Sequence, residues 1–288
     1  MNTRAWPAPA KLNLFLRITG RRTDGYHTLQ TVFQFLDYGD ALRFRVRDDG
    51  VIRALHRIAG VGEEHDLCLR AAKLLQRAGG VGQGADIELD KRLPLGAGLG
   101  GGSSDAATTV LALNRLWGLH WPEDKLAQLG LQLGADVPVF VRGVAAWAEG
   151  VGEQLTPLEL DEPWYVVLTP DCQVSTREIF NAPDLTRNSA PITMRAFIEG
   201  AERPGNDCEA AVCKRHPAVR KALDRLMPFA PARMTGTGSA VFAAFAEEAR
   251  ARAVLSEIAA HWPPGWQGFV AQGKNRSPLH EMLAGEQY

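Results

Sequence analysis

Residues 94–107 read PLGAGLGGGSSDAA. Gly96, Gly98, Gly100, Gly101 and Gly102 fall within one short run. Residues without a Cβ let a backbone turn tightly and come close to a ligand. Before the run, Ala85, Ile87 and Leu89 alternate with Asp86 and Glu88, the pattern of a half-exposed strand. Behind it, Ser103, Ser104 and Asp105 are good helix starters, and Ala106, Val110, Leu113 and Trp117 share one helical face. The order is therefore strand, glycine loop, helix. The start of a helix presents N–H groups and the positive end of its dipole, so the simplest ligand for such a loop is a phosphate chain.

Three common phosphate loops fit poorly. No lysine follows the glycines, which excludes GxxxxGK[ST]. Gly96, Gly98 and Gly101 spell GxGxxG, but the preceding strand carries Asp86, Glu88 and Asp90, unlike the buried first strand of a dinucleotide fold. The acid that should bind a ribose is also missing, since the next one after the helix is Glu123. Neither HRD nor DFG occurs, so the protein-kinase pattern fails too. A tight connection alone needs one or two glycines, not five.

Working outward, residues 10–15 and 28–36 read as strands around a turn at Asp24-Gly25, and residues 41–46 as a third. Residues 66–78 read as a helix stopped by Gly79-Gly80, and residues 122–133 as another ended by Gly134. Residues 139–147 and 164–169 look strand-like. A second glycine turn, Thr235 to Ser239, precedes a strand at 240–245 and a helix at 247–260. Gly, Glu and Pro cluster at 150–157, which suggests a boundary there. Strands and helices mix without strict alternation, so the expected fold is α+β in two domains, residues 1–154 and 155–288.

The composition is that of a globular chain: 288 residues, 45% hydrophobic and 23% charged. A net charge of −1 lacks the basic excess of a nucleic-acid binder. No apolar run approaches membrane-spanning length and the first residues lack a signal core, so a cytoplasmic location is expected. Cys68, Cys172, Cys208 and Cys213 form no CxxC pair, and reduced thiols are expected. His56, His65, His120, His216, His261 and His280 form no metal-binding spacing and read as surface or core residues.

PLGAGLGGGSSDAA resembles the signature of the GHMP kinases, a family of small-molecule kinases. Ala8 to Leu14, APAKLNL, is similar to the family's N-terminal motif, and Met234 to Phe242, MTGTGSAVF, to its C-terminal glycine motif. The segments KLNLFLRITGRRTDGYHTLQTVFQFLD, LGADVPVFVRG and GNDCE resemble one branch, whose acceptor is a cytidine-diphosphate-linked polyol. The resemblance spans residues 9 to about 283. It implies a two-domain α+β kinase with its ligands in the cleft between domains, ATP as phosphoryl donor and Mg²⁺. A related kinase for another small alcohol, or a nucleotide-binding sensor that has lost transfer, are the alternatives.

Phosphoryl transfer asks for positioning and charge stabilisation. For the ATP phosphates the candidates are Pro94, Leu95, Gly96, Ala97, Gly98, Leu99, Gly100, Gly101, Gly102, Ser103 and Ser104, with either serine able to touch Mg²⁺ or cap the helix. Asp136 stands between Gly134 and an apolar run, and on residues alone it either braces a turn or serves as a base. Lys11 lies within an apolar strand, where burial is costly without a partner, and Asp136 could supply one. The resemblance implies that both are catalytic. It further implies that Tyr26 and Phe180 stack on cytosine, that His27 hydrogen-bonds it, and that Asn13 and Thr176 contact the acceptor. It places Lys91 and Asp66 near adenine. Asp66 stands where the family commonly has asparagine, and a carboxylate cannot donate to a ring nitrogen.

Overall fold

A computed structural model describes residues 4–285 apart from residue 203. The chain opens with two long antiparallel strands, β1 (Trp6–Arg21) and β2 (His27–Arg47). A short strand β3 (Ile52–Ala54) leads to helix α1 (Leu67–Gly79), strand β4 (Gly84–Asp90), the glycine loop and helix α2 (Gly101–Leu116). Then come α3 (Glu123–Leu131), α4 (Val137–Arg142), β5 (Ala146–Glu149) and β6 (Gln154–Pro157). The second half runs β7 (Trp164–Thr169), α5 (Thr176–Asn181), α6 (Met194–Ile198), α7 (Glu209–Arg215) and α8 (Pro217–Leu226). It closes with β8 (Arg233–Met234), β9 (Val241–Phe245), α9 (Glu248–Ala259), β10 (Gln267–Lys274) and α10 (Pro278–Ala284).

β2 is the spine. It pairs with β1, with β4 over 41–47, with β5 over 31–33, and with β10 at Phe35 and Leu36. β10 continues into β7, β9 and β8, so the sheet passes from one half of the chain into the other. The expected strands at 28–36 and 41–46 are thus one element. Gly39 lets it pass β1 closely: a Cβ there would stand 2.2 Å from the Ala8 carbonyl oxygen. The expected division at 154/155 falls inside β6, which pairs with β5, and Leu279 of α10 returns to pack in the core around α2.

One expected strand is corrected. Residues 137–142 form α4, and only 146–149 remain extended. Val137 to Val141 are all buried, so no polar face reveals a helical period and the run imitates a core strand. Pro138 in the first turn and Gly143 beyond the end, at φ +63°, are the helix signals that the β-branched run masked.

The glycine loop is set by alternation. Gly96, Gly98 and Gly100 have φ of +64°, +75° and +73°. Between them, Ala97 and Leu99 drop into a small core shared by both halves, beside Leu12 of β1, Val167 of β7 and Phe242 of β9. Burying Leu99 stabilises this arrangement by roughly 1.5–3 kcal/mol. Gly98 has no room for a side chain, because a Cβ would meet the Thr235 carbonyl oxygen at 2.3 Å, whereas at Gly96 the nearest atom is 3.7 Å away. Gly96→Ala should therefore cost about 1–2 kcal/mol of left-handed strain alone. Gly98→Ala should lower the melting temperature clearly further, and equal shifts in thermal denaturation would contradict this packing.

Candidate active site

A cleft of about 1030 Å³ lies along the glycine loop and reaches residues from both halves. Residues 94–103 line it, together with Lys11, Asn13, Lys91 and Asp136. Tyr26, His27, Thr176 and Phe180 line it as well.

The loop turns its carbonyls inward. Leu99 O accepts from the Lys11 N–H and Ala97 O from the Ala240 N–H, each at 3.0 Å. Gly98 O accepts from Lys11 Nζ at 3.2 Å and Thr235 Oγ1 at 3.3 Å. Among the described residues, the N–H groups of residues 98–103 make no hydrogen bond. α2 has Gly100 as its N-cap residue, with no side-chain cap bond and no acid in its first turn. The cleft thus meets an uncapped helix start, whose first N–H groups have no partner inside the helix. Ser103 lines the cleft, while Ser104 is fully buried and its Oγ has no partner within hydrogen-bonding distance.

Lys11 and Asp136 meet, with Nζ 3.3 Å from Oδ2. Lys11 is buried and also donates to Asn13 Oδ1 at 2.5 Å, while 35% of the Asp136 side chain remains exposed. Asp136 precedes α4 but makes no cap hydrogen bond. Its carboxylate is therefore not spent on bracing that turn. Asn13 is fixed from two sides, by Thr235 Oγ1 on its N–H at 2.8 Å and by its own amide donating to Thr31 Oγ1 at 2.9 Å.

At the other end, Tyr26 stands 66% exposed beyond the Asp24-Gly25 turn. His27 is buried and stacks on Phe180, with ring centroids 5.2 Å apart. Burial first, then the charges of Arg187 and Arg21, lower the His27 pKa, so the ring is neutral near pH 7. Thr176 bonds Thr237 through their hydroxyls at 2.8 Å, joining α5 to the second glycine turn.

Lys91 is held by Asp40 at 2.6 Å and Asp105 at 2.7 Å. Burial raises the Asp105 carboxyl to about 7 against the pull of Lys91. A Cβ on Gly101 would lie 3.1 Å from Lys91 Nζ, which places that ammonium beside the start of α2. Asp66 is not brought to the cleft wall. One carboxylate oxygen caps α1 through the N–H groups of Cys68 and Leu69, and the other bonds His56 Nε2 at 2.9 Å. Both oxygens are committed, and the neighbouring Leu67 lines the cleft instead.

His56 is thus neither a bare surface residue nor an apolar core one. It lies with Asp66 and Cys68 in a group whose ligand atoms are within 4.8 Å of one another, but histidine and aspartate satisfy each other. Sequence reasoning also missed Thr31 behind Asn13 and Arg187 behind His27. Neither sits in a turn or a glycine motif that would have pointed to it.

The GHMP kinases N terminal domain model matches residues 66–144, and the GHMP kinases C terminal model residues 193–264. A 4-diphosphocytidyl-2-C-methyl-D-erythritol kinase from Pseudomonas paraeruginosa (strain DSM 24068 / PA7) is 58% identical over 277 residues, 96% of each chain. The enzyme of that name from Pseudomonas entomophila (strain L48) is 60% identical, over 96% of this chain and 95% of its own. The chain belongs to the GHMP kinases.

This GHMP kinase also superposes on solved structures. A crystal structure of 4-(cytidine 5'-diphospho)-2C-methyl-D-erythritol kinase matches with a TM-score of 0.80 at 33% identity, covering 94% of this chain and 99% of that one. A mevalonate kinase matches at 0.68 with 16% identity, over 95% and 100% of the two chains, and shares the fold. Among the described residues, no helix of this GHMP kinase is long and apolar enough to cross a membrane.

The His56–Asp66 pair has a sign-specific pH dependence. Burial is the largest single influence on both groups and disfavours both charges, yet their bond, their mutual charge and backbone hydrogen bonds outweigh it: His56 is raised and Asp66 lowered. A raised histidine stabilises below its unfolded pKa of about 6.5 and loses this as pH rises through its folded value. A lowered aspartate stabilises above about 3.9 and loses this as pH falls through its folded value. The melting-temperature loss in His56→Ala should therefore be largest between about pH 4 and 6.5 and smaller at pH 8. A constant loss across that range would contradict the pairing.

Proposed function

We propose that this GHMP kinase transfers the γ-phosphoryl group of ATP to the 2-hydroxyl of 4-diphosphocytidyl-2-C-methyl-D-erythritol, a step toward isoprenoid precursors by the non-mevalonate route. The observation that carries this reading is one cleft holding three things: a glycine loop with N–H groups free of partners, the Lys11–Asp136 pair, and the aromatic group of Tyr26, His27 and Phe180. The curated relatives named for this activity, similar over nearly the whole chain, support it.

In this reading the N–H groups of residues 95–103 cradle the phosphates, and Lys91 adds positive charge near the helix start. Asp66 acts at one remove, by holding the start of α1. The acceptor hydroxyl lies against Asp136, which takes its proton. The hydroxyl oxygen then bonds the γ-phosphorus as the bond to the β–γ bridging oxygen breaks, and ADP leaves with that electron pair. Lys11 aims the carboxylate and offsets charge on the transferring group. Asn13, fixed from two sides, and Thr176, bonded to Thr237, position the polyol.

Tyr26 and Phe180 supply the stacking faces for cytosine, and His27 the polar contact. Mg²⁺ favours oxygen ligands. The Ser103 hydroxyl is an oxygen donor on the cleft wall and would hold it. When bound, the ion supplies charge neutralisation for the phosphates. We place the reaction in the cytoplasm, and four unpaired cysteines accord with a reducing compartment.

Asp136→Asn should leave ATP affinity within a few-fold while lowering kcat by about 10²–10⁴-fold, the usual worth of a general base. Turnover near that of the parent enzyme would remove the base. His27→Ala should raise KM for the cytidylyl acceptor far more than KM for ATP in steady-state assays. Equal changes would take His27 out of the base pocket.

A further inference from the structure

Arg187 lies in the segment after α5, outside every motif that marks the site, and is half-buried. Its guanidinium makes four hydrogen bonds. Nε donates to His27 Nε2 at 3.1 Å, and Nη1 to Leu185 O at 3.1 Å. Nη2 donates to Phe180 O at 3.1 Å and to Ala182 O at 2.6 Å. One side chain therefore grips the carbonyls at the end of α5 and the histidine at the start of β2, across the two halves of the cleft. The same α5 segment carries Phe180, on which His27 stacks.

Arginine has only donors, so Nε2 of His27 must accept. A neutral imidazole that accepts at Nε2 carries its proton on Nδ1. Burial and the charges of Arg187 and Arg21 favour that neutral ring. Among the described residues Nδ1 makes no hydrogen bond, and His27 lines the cleft. We propose that Arg187 is a positioning residue that fixes His27 as the Nδ1–H tautomer, and so sets the acceptor pocket to read a pyrimidine by a hydrogen-bond acceptor on its edge.

This rests on the cytidylyl reading of the acceptor. Cytosine offers an acceptor at N3, where uracil has an N–H. A donor fixed at Nδ1 suits the first and opposes the second. The opposite tautomer would present a bare nitrogen to the base and reverse the preference. Arg187 thus contributes to specificity without touching the reacting atoms.

Imidazole ¹⁵N NMR of the unliganded wild-type enzyme should show His27 protonated at Nδ1. In Arg187→Lys, which keeps the charge but not the fork, and in Arg187→Met, the signals should move toward a tautomer mixture. Both variants should raise KM for the cytidylyl acceptor by about tenfold, the size of one lost polar contact. KM for ATP should stay within about twofold, and the preference over a uridylyl analogue should narrow. An active wild-type enzyme with His27 protonated at Nε2 would overturn the assignment, with no variant needed. Unchanged ¹⁵N signals and unchanged acceptor KM in both variants would overturn it too. A wild-type enzyme that phosphorylates no cytidylyl acceptor, yet shows the Nδ1–H ring, would instead overturn the acceptor reading.

Discussion

The site depends on where the carbonyl oxygens of three consecutive residues point. Ala97, Gly98 and Leu99 each give their oxygen to a donor inside the protein. A peptide unit that turns its carbonyl inward turns its N–H the other way. The interior thereby decides what the surface of the loop presents. The donors come from β1, from the Thr235 turn and from Ala240 just before β9, so both halves of the chain must be in place before the loop has its shape. Glycines at alternate positions permit the required dihedrals, and Ala97 and Leu99 hold them by burial.

Lys11 links this scaffold to Asp136. Its backbone N–H holds Leu99 O, while its side chain reaches Gly98 O, Asn13 and Asp136. A buried ammonium is costly to leave unpaired, because its loss of hydration must be offset by partners. That cost accounts for the meeting with Asp136 and with Asn13 Oδ1. The phenyl ring of Phe33, 5.3 Å from Nζ, closes the apolar side. Lys91 follows the same rule with Asp40 and Asp105, and His56 with Asp66.

The sequence was legible where backbone geometry leaves a compositional trace. Five clustered glycines before two serines announced the loop, and Gly79-Gly80 marked the end of α1. Legibility failed where burial erased the pattern. The VPVFV run is apolar on every side, so its short helix looked like a strand. β10 passed unnoticed because its glycines and polar residues resemble a connection, although it bridges the two halves. For the site, residue type suggested Lys11 and Asp136 but left two roles open for Asp136. Only the missing cap bond at α4 separates a bracing acid from an available one. Asp66 shows the limit from the other side: the family resemblance suggested a ligand contact, and both its oxygens bond groups within the protein. Arg187 had no local signature, since its partners lie as far away as residue 27.

The continuous run from β2 through β10 to β7 bears on turnover. Proteins whose lobes share only a linker can admit substrate by swinging apart. Here the lobes are laced through one ladder, and a wide rigid-body opening would tear hydrogen bonds between Phe35, Leu36 and their partners on β10. Entry and exit must then fall to local parts of the rim. The hairpin tip bearing Tyr26 is the best suited of these, exposed at its end and rooted in rigid strands, like a latch on a fixed frame.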